Sequence, residues 1–456
     1  MRELVSPMAD SRVTRVATSA LGGVVGGIAG AALVIAFTEA LKAMLAVVSS
    51  QNTWVLVVVP LLGLALSVLV LYGFGLSAAV RTASPNGALS PERARWAQPW
   101  RTFPPGVARS DITAEMVAFA GEEDRFPWRL TPIRVLAIAA TVGLGAPMGT
   151  EAPAAYLGVA TGAALGDRGR WWRQLLGPAA VGGGAAGVAA LMGIPMVGTA
   201  YILELGRRND APLSAERVTA ALVGGFVGWF MNISLGVDLI RLVVPKEPPH
   251  TLPQAVITAL LIGALAGSIT SITGAMVYRA KAWQANPVVR LALGALALGA
   301  SAVILARIAA PSAAVGPGSG AIAWVENTQS AVPTVLAVAL LRAVATTAAA
   351  AAGGCGGVFV PFLVVGDLAG RVFAPGLRLP GDLAGSAGAA GGIAGGYRLP
   401  FTAVALVLGQ GGPGLATLTC LATVAVAAFA GTGAAAMLDR MLARRKAAIE
   451  DKTHRP

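Results

Sequence analysis

Charged side chains are scarce in this sequence, because only 12% of its 456 residues are Asp, Glu, Lys or Arg. Soluble domains usually carry about twice that share. Cysteine and histidine number two each, too few for a disulfide framework or for a metal site built from these ligands. We therefore expect no bound metal, no other cofactor and no enzymatic activity.

The excess of basic residues does not indicate nucleic-acid binding. The formal net charge is +12, but no basic stretch alternates with aromatic side chains. The basic residues instead cluster at the ends and in loops, as in DRMLARRK at 439–446. Basic segments next to membrane spans lie on the cytoplasmic side. We expect both termini in the cytoplasm and the chain in the plasma membrane.

Long runs without any charge dominate the rest of the chain. The mean hydropathy is +0.71, and charge-free runs include 52–80, 174–203 and 399–438. A helix needs roughly 20 apolar residues to cross a bilayer, and these runs reach that length. Strict alternation of apolar and polar residues is absent, so the sequence predicts an all-α integral membrane protein.

Two short similarities indicate an internal duplication. EAPAAYLGVATG at 151–162 resembles FVPFLVVGDLAG at 359–370, and GIPMVGTAYILE at 193–204 resembles RLPFTAVALVLG at 398–409. Their offsets are 208 and 205 residues, in the same order along the chain. Duplicated transporters often pair inverted repeats and bind substrate where broken helices meet. The predicted division is a cytoplasmic segment 1–16, a first repeat 17–240, a linker 241–251, a second repeat 252–438 and a basic cytoplasmic tail 439–456.

The stretch GGCGGVFVPF at 353–362 has the composition of an anion site. Four glycines precede an apolar run, so a helix is expected to begin near Val358 after an irregular lead. The first N–H groups of a helix lack intrahelical partners and carry the positive end of its dipole. Glycines allow a ligand to approach that backbone, and neutral N–H donors bind an anion without a full opposite charge. Close packing of small residues between helices is the alternative explanation.

The stretch GAPMGTEAP at 145–153 has the same design with a carboxylate added. Glu151 is the only charge between Arg134 and Asp167, and a charge at membrane depth costs free energy, so it usually has a function. Gly149 interrupts the backbone, and Pro153 is tolerated in a first helical turn. Glu151 is therefore expected at a helix start, where its carboxylate takes the place of an anion until it is protonated. A capping carboxylate in a surface turn is the alternative.

Together these motifs resemble the CLC family of chloride channels and proton/chloride exchangers. GTEAP matches the family pattern G(K/R)EGP, and GVFVP matches GxFxP about two hundred residues later. Arg342 shortly before the second motif adds to the resemblance, which extends from about residue 17 to 440. It implies a CLC-like inverted repeat of many tilted, partly broken transmembrane helices. It also implies a homodimer in lipid, with an anion pathway in each subunit, in a family that includes voltage-gated channels.

The resemblance implies roles for individual residues. Glu151 matches the gating glutamate, and Val358 and Phe359 match the positions whose backbone N–H groups bind the central anion. Ser110, in ARSDIT, matches an internal serine, although only it and Ile112 fit that family motif. The glycines and prolines of the two motifs, expected to shape the helix starts, are Gly149, Pro153, Gly357 and Pro361.

Two departures from the family pattern bear on mechanism. Leu205 stands where many exchangers have an internal proton-transferring glutamate, and the neighbouring Glu204 points about 100° away on a helix. The family's central tyrosine should fall near 431–438, where Ala436 is the best match. The central site is therefore expected to be wider and to lack one hydroxyl donor.

The favoured prediction is a gated, passive anion channel, with chloride as the anion and protons acting at Glu151, because Leu205 replaces the internal proton carrier. The first alternative is a proton-coupled chloride antiporter of the same family. Alternatives of other classes are a cation-coupled transporter of a small solute, or a membrane scaffold that transports nothing.

Overall fold

A computed structural model describes residues 12–81, 128, 131–166, 172–237, 251–283, 285–411 and 417–453 of the chain. These residues form helices joined by short turns. Eight of the helices are long and apolar enough to cross a membrane, as the composition predicts. The described part of the chain contains a single isolated β-bridge and no β-strand.

The first half of the chain carries helices α1 to α7. They are α1 Arg12–Ser49, α2 Thr53–Arg81, α3 Thr131–Ile138, α4 Glu151–Gly166, α5 Leu176–Met192, α6 Pro195–Arg208 and α7 Ala215–Leu235. A π-helical turn, Ala139–Gly143, extends α3, and a 3₁₀ turn, Trp172–Leu175, leads into α5. α6 begins with Pro195, which is tolerated there because the N–H that proline lacks would have no helical partner.

The second half of the chain carries helices α8 to α16. They are α8 Leu252–Ala282, α9 Pro287–Ile308, α10 Pro311–Ala314, α11 Ser319–Asn327, α12 Val332–Ala351, α13 Phe359–Leu377, α14 Gly381–Tyr397, α15 Pro400–Gly411 and α16 Leu418–Thr453. α16 continues through residue 438, so the predicted start of a separate tail at 439 falls inside a helix. The other predicted domain boundaries stay predictions.

The two halves use one packing scheme. In the first half α5 packs against α1, α4 and α7, and α1 also packs against α7. In the second half α14 packs against α8, α13 and α16, and α8 also packs against α16. The helices that hold the two sequence similarities therefore occupy corresponding places, which agrees with the expected repeat.

Glycines at corresponding positions let the helices of each half touch. A Cβ atom on Gly158 of α4 would overlap the carbonyl of Gly183 on α5. A Cβ on Gly366 of α13 would overlap the carbonyl of Gly388 on α14 in the same way. Small residues are favoured between membrane helices because close backbone approach replaces the missing hydrophobic driving force. Through these contacts α5 fixes the position of α4, and α14 fixes the position of α13.

A buried ion cluster lies on α13 away from its start. The Arg371 guanidinium donates to Asp367 Oδ1 at 2.7 Å, to Asp382 Oδ1 at 3.1 Å and to Glu326 Oε1 at 3.4 Å. The Asp367 side chain is 2% exposed. One guanidinium thus joins α11, α13 and α14, and its charge stabilises three carboxylates that would be costly to bury alone.

Candidate functional site

The starts of α4 and α13 meet at a backbone bridge between the halves. Gly149 N–H donates to the Gly357 carbonyl at 2.6 Å, and Gly357 N–H donates to the Gly149 carbonyl at 2.7 Å. These two glycines lie 208 residues apart, the offset of the sequence similarity. Gly145 and Gly353 share that offset, and both adopt positive φ, at 92° and 94°. The bridge therefore brings two equivalent helix starts face to face.

Both helices begin where the sequence predicts. α4 starts at Glu151 and α13 at Phe359, with Val358 as the residue before the first turn. Pro153 and Pro361 are buried in the two first turns, where proline costs no hydrogen bond. The first N–H groups of each helix have no partner within the helix and carry the positive end of its dipole, so they can attract an anion without a positively charged side chain.

The Glu151 carboxylate lies inside this site. Glu151 is 1% exposed, and its carboxylate lies close to the backbone N–H of Val360 on α13, to the N–H groups of Thr150 and Glu151, and to the Thr150 hydroxyl. Its Oε2 has no hydrogen-bond partner among the described residues. Gly149 makes room for this conformation, because a Cβ there would overlap Oε2. The carboxylate of one helix start thus faces the N–H groups of the other.

Aromatic side chains surround the start of α13. The Phe359 ring lies between Tyr201, at a centroid distance of 5.9 Å, and Tyr397, at 5.4 Å. The Tyr397 hydroxyl accepts a hydrogen bond from Val358 N–H at 3.2 Å. The structure thus places Val358 and Phe359 beside two tyrosines, whereas the expectation that the anion site is wider and lacks one hydroxyl donor stays a prediction. A hydroxyl can donate to an anion as well as accept.

Other residues singled out in the sequence lie elsewhere. Ser110 is outside the described residues. Leu205 is 2% exposed in the apolar core. The Glu204 carboxylate lies at the start of α15, where it accepts hydrogen bonds from Phe401 N–H at 3.0 Å and Thr402 N–H at 2.7 Å. Ala436 lies in the middle of the continuous α16, which packs on α8, α14 and α15.

Arg342 stabilises the loop around Gly316, which contacts the start of the first motif. Its guanidinium is buried and donates to the Gly316 carbonyl at 2.8 Å and the Ala313 carbonyl at 3.3 Å. Gly316 N–H in turn donates to the Gly145 carbonyl at 2.8 Å. This role agrees with a structural arginine that satisfies buried carbonyl groups.

Tyr397 and Tyr201 are the site residues that sequence reasoning missed. They are two of only five tyrosines in the chain. Tyr201 lies inside the similar segment 193–204, six residues after Pro195, whereas Tyr397 lies one residue before the segment 398–409. A rare polar aromatic residue inside or next to a repeated motif is a signal that could have identified both.

Sequence comparison agrees with this geometry. Residues 96–433 match the family model described as "Voltage gated chloride channel". The H(+)/Cl(-) exchange transporter ClcA of Yersinia pestis bv. Antiqua (strain Angola) is 24% identical over 343 residues, covering 70% of each protein. The protein of the same name from Yersinia pseudotuberculosis serotype O:3 (strain YPIII) gives the same values.

Solved structures share the fold. A slow cyanobacterial Cl⁻/H⁺ antiporter superimposes with a TM-score of 0.68 at 18% identity, covering 94% of this chain and 99% of that one. A CLC-type fluoride/proton antiporter gives 0.64 at 21% identity, covering 93% and 97%. The expected inverted-repeat architecture is therefore confirmed. The chain belongs to the CLC family of anion-transporting integral membrane proteins.

Proposed function

We propose that this protein exchanges chloride for protons across the plasma membrane, as a homodimer with both termini in the cytoplasm. The observation that carries the proposal is the Glu151 carboxylate at the Val360 N–H. An ionised Glu151 competes with chloride for the N–H groups at the start of α13. A protonated Glu151 is neutral, loses most of that attraction and gives up the position. Proton binding and anion binding are then linked through one site.

The names of the relatives support exchange over a passive channel. The Yersinia relatives are H(+)/Cl(-) exchange transporters, and both similar solved structures described above are proton antiporters. The preference for a channel depended on Leu205 in place of an internal glutamate. Exchange in this chain requires a route for the inner proton that bypasses Leu205.

The proposed roles of the site residues follow from their places. Val358 and Phe359 offer backbone N–H groups to the anion, and Glu151 is the proton-binding gate. Gly149 and Gly357 hold the two helix starts together, and Pro153 and Pro361 fix the first turns. Donors that carry no full charge allow the anion to leave, whereas a buried lysine or arginine would retain it.

Proteoliposomes with an outward chloride gradient test the proposal. Chloride efflux and external pH are recorded together, with valinomycin present to carry the compensating potassium current. We expect chloride efflux to drive proton uptake at a fixed ratio. Chloride efflux without proton movement would instead establish the passive channel, and no flux of any anion would establish the scaffold.

Two variants sharpen the test. Glu151→Gln keeps the shape of the side chain but cannot bind the proton, so we expect chloride flux without proton uptake and without pH dependence. Glu39→Gln is the matched control, because Glu39 is half-exposed on α1 and pairs with Lys42 at 2.8 Å. Glu39→Gln should keep the parent's ratio of protons to chloride.

A further inference from the structure

Tyr397 is held at the start of α13 by packing on several sides. It is the last residue of α14, and its carbonyl accepts a hydrogen bond from the Arg208 guanidinium. The next residue, Arg398, is left-handed at φ 62°, which ends the helix sharply. The Tyr397 ring packs against Phe359 and, at 5.6 Å between centroids, against Phe362. Its hydroxyl is therefore fixed at the Val358 N–H rather than placed there by a mobile side chain.

Tyr201 approaches the same place from α6. Its side chain is 1% exposed, and its hydroxyl has no hydrogen-bond partner among the described residues. The ring meets Phe359 edge to face, at a centroid distance of 5.9 Å. A buried hydroxyl without a partner costs free energy, so such a group usually serves a ligand or water.

We propose that Tyr397 and Tyr201 supply the hydroxyl groups that bind the transported anion beside Val358 and Phe359. This assignment rests on the proposed function and names two further ligands of its site. Each phenol has one hydrogen to donate. The Val358 N–H, which donates to the Tyr397 hydroxyl in this structure, is shared with the anion when it binds, and the phenol hydrogen points to the anion. The anion is a small monovalent ion such as chloride, because both rings pack against Phe359 and leave room only for a small ligand beside the N–H groups.

The chemistry of the pair fits an ion that must be released. Phenol hydroxyls are neutral donors, so they strengthen binding without a permanent positive charge. A hydrogen bond to a charged acceptor is stronger than one between neutral groups. Removing one such donor should weaken chloride binding about ten- to a hundredfold.

Chloride titration calorimetry on the detergent-solubilised protein tests the assignment. Tyr397→Phe and Tyr201→Phe each remove one oxygen and keep the ring. We expect Tyr397→Phe and Tyr201→Phe each to raise the Kd for chloride at least tenfold. Tyr156→Phe is the matched control: Tyr156 is also buried, but its hydroxyl pairs with Thr131 at 3.1 Å. This control should bind chloride as the parent does.

Three results would overturn the assignment. If the parent binds no chloride, both the assignment and the proposed function are wrong. If the parent binds chloride and the Kd of Tyr397→Phe is within twofold of the parent's Kd, only the assignment of the tyrosines is wrong. Tighter binding by Tyr397→Phe means that Tyr397 competes with the anion for Val358. Thermal unfolding measured in chloride and in gluconate separates an effect on anion binding from an effect on folding. A variant that binds chloride more weakly shows a smaller rise in Tm on addition of chloride, even if its Tm in gluconate is already lower than the parent's.

Discussion

Replacing Gly149 by alanine tests how the Glu151 carboxylate reaches its place. Gly149 is not among the described residues with positive φ, so alanine fits its backbone. Its Cβ, however, would overlap Glu151 Oε2 and would lie 3.3 Å from Pro361 Cδ. The free end of the Glu151 side chain is the easier of the two to move. Gly149→Ala should therefore displace the carboxylate without deleting it or changing its charge.

The size of the effect follows from the interaction that is lost. The carboxylate gives up its interaction with the Val360 N–H, and a hydrogen bond to a charged group contributes about 1.5–3 kcal/mol. That change shifts the ratio of docked to displaced carboxylate by about ten- to a hundredfold. If ionised Glu151 blocks the pathway as proposed, chloride flux through Gly149→Ala at alkaline pH should rise toward the flux at acid pH.

Chloride efflux from proteoliposomes at pH 5 and pH 8 measures this shift. Gly299→Ala on α9 is the control, because its Cβ would meet only Leu61 Cδ1, at 3.5 Å, which is an ordinary contact away from Glu151. It should keep the parent's dependence on pH. If Gly149→Ala also kept the parent's ratio of flux at the two pH values, steric control of the carboxylate by Gly149 would be refuted.

Three further predictions concern stability. Glu204→Gln should lower the free energy of unfolding by about 1 kcal/mol, because the charge at the start of α15 is lost; an unchanged Tm in detergent would contradict this role. Arg371→Met should lower the free energy of unfolding by about 3 kcal/mol, because it leaves carboxylates of the ion cluster without a partner. Asp382→Asn changes a more exposed partner and should lower it by under about 1 kcal/mol. Equal shifts in Tm for the two variants would contradict the cluster geometry. Gly183→Val should leave no folded, detergent-soluble protein, since its side chain meets the Gly158 carbonyl, and a monodisperse size-exclusion peak would exclude that packing.

Local sequence rules predicted the two helix starts to within one residue. Glycines before Glu151 and before Val358 interrupt the chain, and Pro153 and Pro361 are compatible only with an early helical position. These are properties of a few adjacent residues, so they can be read without a structure. The offset between the two motifs then predicted that both starts belong to equivalent helices.

The tyrosine hydroxyls could not be predicted in the same way. Tyr397 reaches Val358 because the end of α14 packs against the start of α13, and that contact depends on glycine packing along the whole length of both helices. A search at one expected position led to Ala436, which lies within the uninterrupted α16. The residue that fills a chemical role can come from a different helix when the role requires only a hydroxyl at one point in space.

The bridge between Gly149 and Gly357 also restricts how the molecule can move. Each of its two hydrogen bonds joins one half of the chain to the other, and both glycines are buried. Separating the halves there would forfeit about 4–6 kcal/mol for each bond in an apolar medium. A cycle in which the two repeats rock apart at the site is therefore slow compared with one in which side chains alone rearrange. We therefore expect the Glu151 carboxylate to be the part of the site that moves, around a fixed backbone, and turnover to depend on how fast it exchanges places with the ion.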